Sequence, residues 1–313
     1  MGKQPSTTEA SQVLRALLLA HLYDAAGCLA KLRGPRASVH DIRVAIRRLR
    51  TTLKAYRRYL GAWAISTERA FGALAKKVDF LRDSEVQLSW LLKLRNELKS
   101  TQRAEVDTLV KILRADKAEA LRSMRRTWIP RFEKVSARLA VRLETMVTIR
   151  RQPSFDAAFR KLLKRRIARF RITAQRVAGS KRGADLHAVR IKGKQLRYLI
   201  EPFAAESARL RRTKKALETL QSSLGDLHDI EVLRSRCSEI SCKAGNLQQF
   251  RQLGKILKDE ERALGSKALD RLSRKRLSRT LKETISSLKR PILSRRFHLR
   301  RLATKGGPPV GAR

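Results

Sequence analysis

Residues 40–56 read HDIRVAIRRLRTTLKAY, and this pattern decides the fold class of the chain. Apolar residues recur at three- and four-residue intervals, which is the spacing of one face of an α-helix. These apolar residues are Ile42, Ala45, Ile46, Leu49, Leu53 and Tyr56. A neighbouring face of the same helix carries His40, Arg43, Arg47, Arg50 and Lys54. The segment is therefore predicted to be an amphipathic helix with one cationic edge.

The same pattern occurs a second time. The letters HDIRV at residues 40–44 return as HAVRI at residues 187–191, an offset of 147 residues (187 minus 40). The letters LRDSEV at residues 81–86 return as LHDIEV at residues 227–232, an offset of 146 (227 minus 81). The second copy also places cations on one helix face, namely His187, Arg190, Lys194 and Arg197. Two matched blocks at nearly one offset predict two related helical halves.

Helical periodicity continues along almost the whole chain, with no convincing strand pattern. Sparse Gly and Pro residues divide it into about ten helices, so we expect an all-α fold. Each half is long enough for a four-helix bundle with an extra helix. We predict an N-terminal tail at residues 1–9, a first half at 10–150, a second half at 151–302 and a disordered tail at 303–313.

Charge dominates the composition. The 313 residues include 73 Lys and Arg against 28 Asp and Glu, a formal net charge of +45, while 42% are apolar. The apolar share can supply a core, and the charge favours a polyanionic partner such as nucleic acid, an anionic membrane or a phosphate polymer. Cations on the predicted helix face rise about 4.5 to 6 Å per step, so neighbouring phosphates of a polymer could each meet one.

Cysteine usage and hydropathy limit the remaining classes. The three cysteines include no C-x-x-C pair, which argues against structural disulfides and zinc and favours a reducing cytoplasm. The longest run without a charged residue is residues 59–67, so we expect no membrane-spanning segment. A membrane-surface role is also disfavoured because the apolar helix faces are needed for a core.

Matched histidines and acids suggest specific roles. His40 and His187 stand at the same repeat position, so we interpret them as hydrogen-bond donors to phosphate. Asp83 and Asp229 also match each other, and they are either salt-bridge supports for arginines or metal ligands. The His-Asp pairs at 40–41 and 228–229 are typical of metal-dependent phosphohydrolases, but Ala188 replaces the first aspartate in the second copy. We predict no catalytic residue, no metal site and no cofactor, and keep such a hydrolase as the weaker alternative.

The two copies resemble a known family, the CHAD domain, or conserved-histidine α-helical domain. The motif runs His40-x-x-Arg43-Val44-x-x-Arg47-Arg48-Leu49-Arg50, and its second copy runs His187-x-x-Arg190-x-x-x-Lys194-x-Leu196-Arg197-Tyr198-x-x-Glu201. A further block, Leu220-Gln221-x-x-Leu224-Gly225-x-x-x-Asp229, is similar to the second block of the family. The copies depart from each other where Asp79 replaces Gly225 and where Gln195 replaces Arg48.

This resemblance implies two antiparallel bundles related by a pseudo-two-fold axis, with a basic groove or pore between them. It implies binding of inorganic polyphosphate and a cytoplasmic location at polyphosphate granules. The expected polyphosphate-binding residues are His40, Arg43, Arg47, Arg48, Arg50, Lys54, His187, Arg190, Lys194 and Arg197. The Glu-x-Glu-x-Lys motif of a triphosphate-hydrolysing tunnel domain is absent from the sequence, so the chain is interpreted as the binding module alone, without catalysis.

Nucleic-acid binding is the main alternative. The net charge supports it, but aromatic residues make up only 5% of the chain, and none interleaves with the cationic faces. Stacking platforms for bases are therefore not evident. The sequence gives no indication of oligomeric state.

Overall fold

The computed structural model describes residues 10–33, 39–146, 153–180, 186–243 and 250–292, and these form an all-helical fold without strands. The described residues also form a π-helical turn, Met124–Trp128, and a 3₁₀ turn, Glu201–Glu206. The helices are α1 (Ala10–Arg33), α2 (Val39–Ala55), α3 (Arg57–Leu60), α4 (Trp63–Glu97), α5 (Ser100–Ser123), α6 (Ile129–Glu144), α7 (Phe155–Ser180), α8 (Leu186–Ile200), α9 (Ala208–Lys243), α10 (Arg251–Ser273) and α11 (Lys275–Ser287). The predicted all-α fold of about ten helices is confirmed.

The internal repeat is visible in how the helices pack. In the first half α2 packs on α1 and α4, while α4 packs on α5 and α6. In the second half α8 packs on α7 and α9, while α9 packs on α10 and α11. Four helices also contact their own counterparts across the halves, as the pairs α1–α7, α2–α8, α4–α9 and α5–α10. Contacts between equivalent elements are what a pseudo-two-fold relation produces, because such elements meet at the axis.

The two halves share their hydrophobic cores. The main core includes large buried rings from both halves, and Tyr56 lies against Phe155 with ring centroids 5.5 Å apart. A smaller core is built by α4 and α5 together with α9 and α10, where Leu91 and Val106 are in one cluster with Leu233 and Leu257. Each half therefore needs apolar residues of the other half to bury its own helices. The predicted tails at 1–9 and 303–313, and the boundary at 150, lie outside the described residues.

Helix α1 is the one described helix that is long and apolar enough to cross a membrane by length and composition, over Ala10–Leu32. Its apolar residues are used inside the protein, since Leu14, Leu18 and Ala25 are fully buried and the helix packs on α2, α6 and α7. The expectation of no membrane-spanning segment rested on uncharged runs and did not consider this helix, and it stays a prediction.

Candidate anion-binding cluster

Helix α2 turns its cations away from the core because its apolar residues are consumed by packing. Ile42, Ile46, Leu49 and Leu53 are fully buried against α1 and α4. Asp41 in the first turn and Lys54 in the last turn complement the helix dipole. The basic edge therefore lies beside α4 on one side and α8 on the other, since α2 contacts both helices.

On this edge Arg43 and Arg47 are held by one carboxylate of α4. Arg43 donates from Nε to Oδ1 of Asp79, and Arg47 Nη2 lies 3.3 Å from the same oxygen. Arg43 Nη2 also lies 3.7 Å from Oδ1 of Asp83. The first-copy cations thus have carboxylate partners within the chain.

The equivalent residues of α8 are placed differently. Arg190 is 8% exposed, and its buried Nε has no hydrogen-bond partner among the described residues. Lys194 is half-buried one turn further along the helix. Within the described residues neither side chain forms an ion pair, although charged hydrogen-bonding groups are usually paired when they are buried.

These cations come together between the halves. Burial, followed by the charges of Arg190, Arg47 and Arg43, lowers the pKa of Lys194 to about 6, and Asp229 opposes this only in part. Burial is also the largest cause that lowers the pKa of Arg190; Asp229 opposes it, and Arg47 and Arg43 add to it. We refer to Arg43, Arg47, Arg190 and Lys194 as the cation cluster. It is short of negative charge, and that deficit favours an anion.

Two matched carboxylates border the cation cluster. Burial raises the pKa of Asp83 and of Asp229, while Arg43 opposes the shift at the first and Arg190 at the second. Asp83 also raises the pKa of Asp229, so residues 146 positions apart in the sequence (229 minus 83) lie near each other. Asp83 lies within salt-bridge distance of Arg43, and Asp229 interacts electrostatically with Arg190 without an ion pair.

The matched histidines lie at the exposed edge of the cluster. Burial and then Arg82 lower the pKa of His40, and burial and then Arg190 and Lys194 lower the pKa of His187. The His187 ring is 5.5 Å from that of His228, whose pKa is lowered to about 3 by burial and by Arg190. Neutral imidazoles can each donate one hydrogen bond to a phosphate oxygen without adding charge.

Four other predicted site residues have different surroundings. Arg48 is bonded to Glu201 across the halves, and Arg50 Nε donates to Glu68 at 3.0 Å. Arg197 lies over the Tyr198 ring, 4.4 Å from its centroid, and Lys54 is exposed at the end of α2. The structure therefore brings together Arg43, Arg47, Arg190 and Lys194, with His40 and His187 beside them, and gives Arg48 and Arg50 partners elsewhere.

Tyr198 is a neighbour of the cluster that our list of site residues left out. Its hydroxyl lies 3.4 Å from Nη1 of Arg47. Helical spacing could have found it, because Tyr198 stands four residues after Lys194 and eight after Arg190, on the same face of α8. The ring is 5% exposed and lies beneath Arg197, so it offers no open face to a base.

A cleft of about 520 Å³ adjoins the cluster between α4, α5, α8 and α9. Its lining includes Asp83, His187, Glu231 and Glu239, so it carries more negative charge than the cation cluster and suits a polyanion less well. In the part of the chain that the structure describes, no three His, Cys, Asp or Glu residues are grouped to hold a metal ion.

These features define an all-helical, internally repeated domain with cations of both repeats gathered where the halves meet. The chain belongs to the CHAD family, since the family model for the CHAD domain matches residues 13–238. The fold is similar to the crystal structure of the CHAD domain from the plant Ricinus communis, with a TM-score of 0.65 and 20% identity over 89% of this chain and 93% of that one.

A second solved structure with a similar fold is PptA from Streptomyces chartreusis. Its TM-score is 0.57, with 17% identity over 90% of this chain and 99% of that one. No curated protein gives a significant match to the sequence.

Proposed function

We propose that this protein binds inorganic polyphosphate, without degrading it, in a basic groove between α2 and α8. The observation that carries the proposal is the cation cluster, in which four basic side chains from both repeats approach one another with only three carboxylates, Asp79, Asp83 and Asp229, beside them. A polyanion between the helices supplies that missing charge. The motif resemblance to the CHAD family adds to this support.

A linear polymer suits the arrangement better than a small anion. Arg43 and Arg47 are one helical turn apart on α2, and Arg190 and Lys194 are one turn apart on α8. One turn rises about 5.4 Å, so each pair can contact different phosphates of one chain. His40 and His187, at the exposed edge, extend the row of donors.

Nucleic acid is the competing ligand, and base recognition has little support. Tyr198 is the aromatic residue bonded to the cluster, and its ring is covered. Single-stranded nucleic acids usually gain affinity by stacking their bases on accessible aromatic rings. Polyphosphate needs only cations and hydrogen-bond donors.

The proposal extends to a cytoplasmic location at polyphosphate granules.

Competition binding tests the function directly. Long-chain polyphosphate, single-stranded RNA, duplex DNA and ATP are compared for displacement of a labelled polyphosphate at physiological salt. We expect polyphosphate to compete most strongly per unit charge and its affinity to fall steeply with salt, because condensed counterions are released on binding. RNA that competes as well as polyphosphate would contradict the proposal.

Two controls separate the cluster from net charge and binding from hydrolysis. Lys194→Gln and Lys255→Gln make the same substitution, one in the cluster and one at an exposed position on α10, and only the first should weaken binding strongly. Polyphosphate incubated with the protein and Mg²⁺ or Mn²⁺ should keep its length on a gel. Shortening that an Asp229→Ala variant abolishes would show that the protein is a hydrolase.

A further inference from the structure

The two repeats differ at one position that faces the cation cluster. The second-block position is Asp79 on α4 and Gly225 on α9, equivalent at the offset of 146 residues (225 minus 79). Asp79 accepts hydrogen bonds from Arg43 and Arg47, as described above. A glycine cannot do the same for the equivalent pair of the second copy.

The second-copy pair correspondingly has no hydrogen-bonded carboxylate among the described residues, although Asp229 lies near enough to interact with both cations. Helices α8 and α9 run antiparallel, since Arg197 lies 3.6 Å from Glu218 while Arg190 interacts with Asp229, further along α9. Gly225 stands between these two acids. The facing surfaces of α8 and α9, which we call the α8 wall, also contain two buried donors without partners among the described residues, Arg190 Nε and Gln221 Nε2. The α8 wall is thus rich in hydrogen-bond donors without partners among the described residues.

Gly225 leaves room beside these donors. A Cβ placed there would meet no described atom within 4 Å. The space directly at Gly225 is therefore open, whereas the equivalent position in the first copy holds the Asp79 carboxylate. An anion can approach Arg190 and Lys194 without breaking a hydrogen bond to a carboxylate, but at Arg43 and Arg47 it competes with Asp79.

We infer that Asp79 is an internal competitor of the polyanion and that the Asp79/Gly225 difference makes the α8 wall the primary contact for phosphate. The facing surfaces of α2 and α4, the α2 wall, then contribute a weaker share of the binding, which Asp79 sets. This inference rests on the proposed function for the identity of the polymer. Asp79 then sets the affinity for the polymer. The two walls differ in importance, although the repeated motif gives both of them the same pattern of cations.

The test uses four single variants of the full chain. Asp79→Asn removes the competitor with little change of shape, and Gly225→Asp installs one on the other wall. Asp259→Asn and Gly265→Asp are matched controls, since Asp259 is an exposed partner of Arg262 on α10 and Gly265 is a helical glycine that also has open space. Affinities for long-chain polyphosphate and for single-stranded RNA are measured at several salt concentrations.

We expect Asp79→Asn to raise affinity for polyphosphate about fivefold or more and Gly225→Asp to lower it about tenfold or more, because one charge-assisted contact changes in each. The two controls carry the same charge changes and should shift affinity by less than about twofold, since no described interaction links either residue to the cation cluster. Helicity and melting temperature verify that each variant is folded.

A charge-neutral exchange gives the sharpest result. In the parent protein Lys194→Gln should weaken binding more than Arg47→Gln. In the double variant Asp79→Asn with Gly225→Asp the order should reverse, because the competitor has changed walls while net charge stays the same. If Gly225→Asp does not fold, the gain of affinity in Asp79→Asn alone still decides the matter.

The outcomes separate the two proposals. If RNA binds better than polyphosphate but shows the same dependence on Asp79 and Gly225, the polyphosphate assignment fails and the inference stands for another polyanion. If polyphosphate binds best but Asp79→Asn and Gly225→Asp behave like their controls, the function stands and the inference is overturned.

Discussion

The guanidinium of Arg48 on α2 donates a hydrogen bond to the carboxylate of Glu201, 153 residues further along the chain, and so links the two halves beside the cation cluster. Their side chains are 31% and 17% exposed, so the pair is partly shielded from water. The repeat does not reproduce this link, because Gln195 and Lys54 occupy the equivalent positions. Arg48 therefore contributes to joining the halves in a way that its copy does not.

We predict that Arg48→Ala and Glu201→Ala each lower the free energy of unfolding by about 1 to 2 kcal/mol, since each leaves a half-buried partner without its bond. A double-mutant cycle in urea should give a coupling of about 1 kcal/mol. Arg262→Ala, which breaks the exposed pair with Asp259, is the control and should cost less than about 0.5 kcal/mol. A zero coupling between Arg48 and Glu201 would show that the bond contributes nothing.

The cation cluster should act as one site on one ligand. Lys194→Gln should weaken polyphosphate binding more than about tenfold, and Arg47→Gln at least about threefold, although each leaves the other wall intact. The exposed Lys255→Gln variant makes the same substitution on α10 and sets the contribution of net charge. Equal affinities of all three variants, measured by fluorescence anisotropy on folded protein, would mean that net charge alone accounts for binding.

Binding should strengthen on acidification. The pKa of Lys194 is about 6 in the ligand-free protein, against its ordinary value of 10.5, so the amine is largely neutral at pH 8. A polyanion favours the charged amine, so binding takes up a proton and affinity should rise, by up to about tenfold per pH unit, as pH falls from 8 towards 6. Protonation of Asp83 and Asp229, whose pKa values burial raises, acts in the same direction.

The matched variants for this pH dependence are Lys194→Arg and Lys194→Gln. Arginine stays charged, so Lys194→Arg should bind well with a flatter profile between pH 6 and 8, whereas Lys194→Gln should be flatter and weak. The contribution of Lys194 to folding stability depends on pH in the opposite direction. The unfolded chain binds the Lys194 proton up to about pH 10 and the folded protein only below about 6, so this residue's contribution to stability rises with pH across that window and is lowest below 6.

The two halves should not fold separately. Residues 1–150 and 151–313, expressed alone, should give broad, non-cooperative urea unfolding, because both cores contain residues from both halves. The full chain should unfold in a single cooperative transition. Mixing the two fragments should recover helicity if the exposed core surfaces find each other. A cooperative transition for either fragment alone would show that a half is an independent domain.

Helix periodicity by itself determined much of this protein. A 3.6-residue repeat places Arg43 and Arg47 on one face whatever surrounds the helix, and the same holds for Arg190 and Lys194. The offset between the copies predicted the paired helices, and the local motif predicted the family. These features depend on residues within one or two helical turns, which a sequence displays directly.

Tertiary structure decided which cations are free and how the halves are joined. Asp79 lies 36 residues from Arg43 and Glu201 lies 153 residues from Arg48, and no periodicity within α2 can show that either carboxylate reaches that helix. The low pKa of Lys194 likewise arises from burial and from arginines on two helices. Ion pairing and desolvation depend on distances of a few ångströms between distant parts of the chain, so they appear only when the helices are packed.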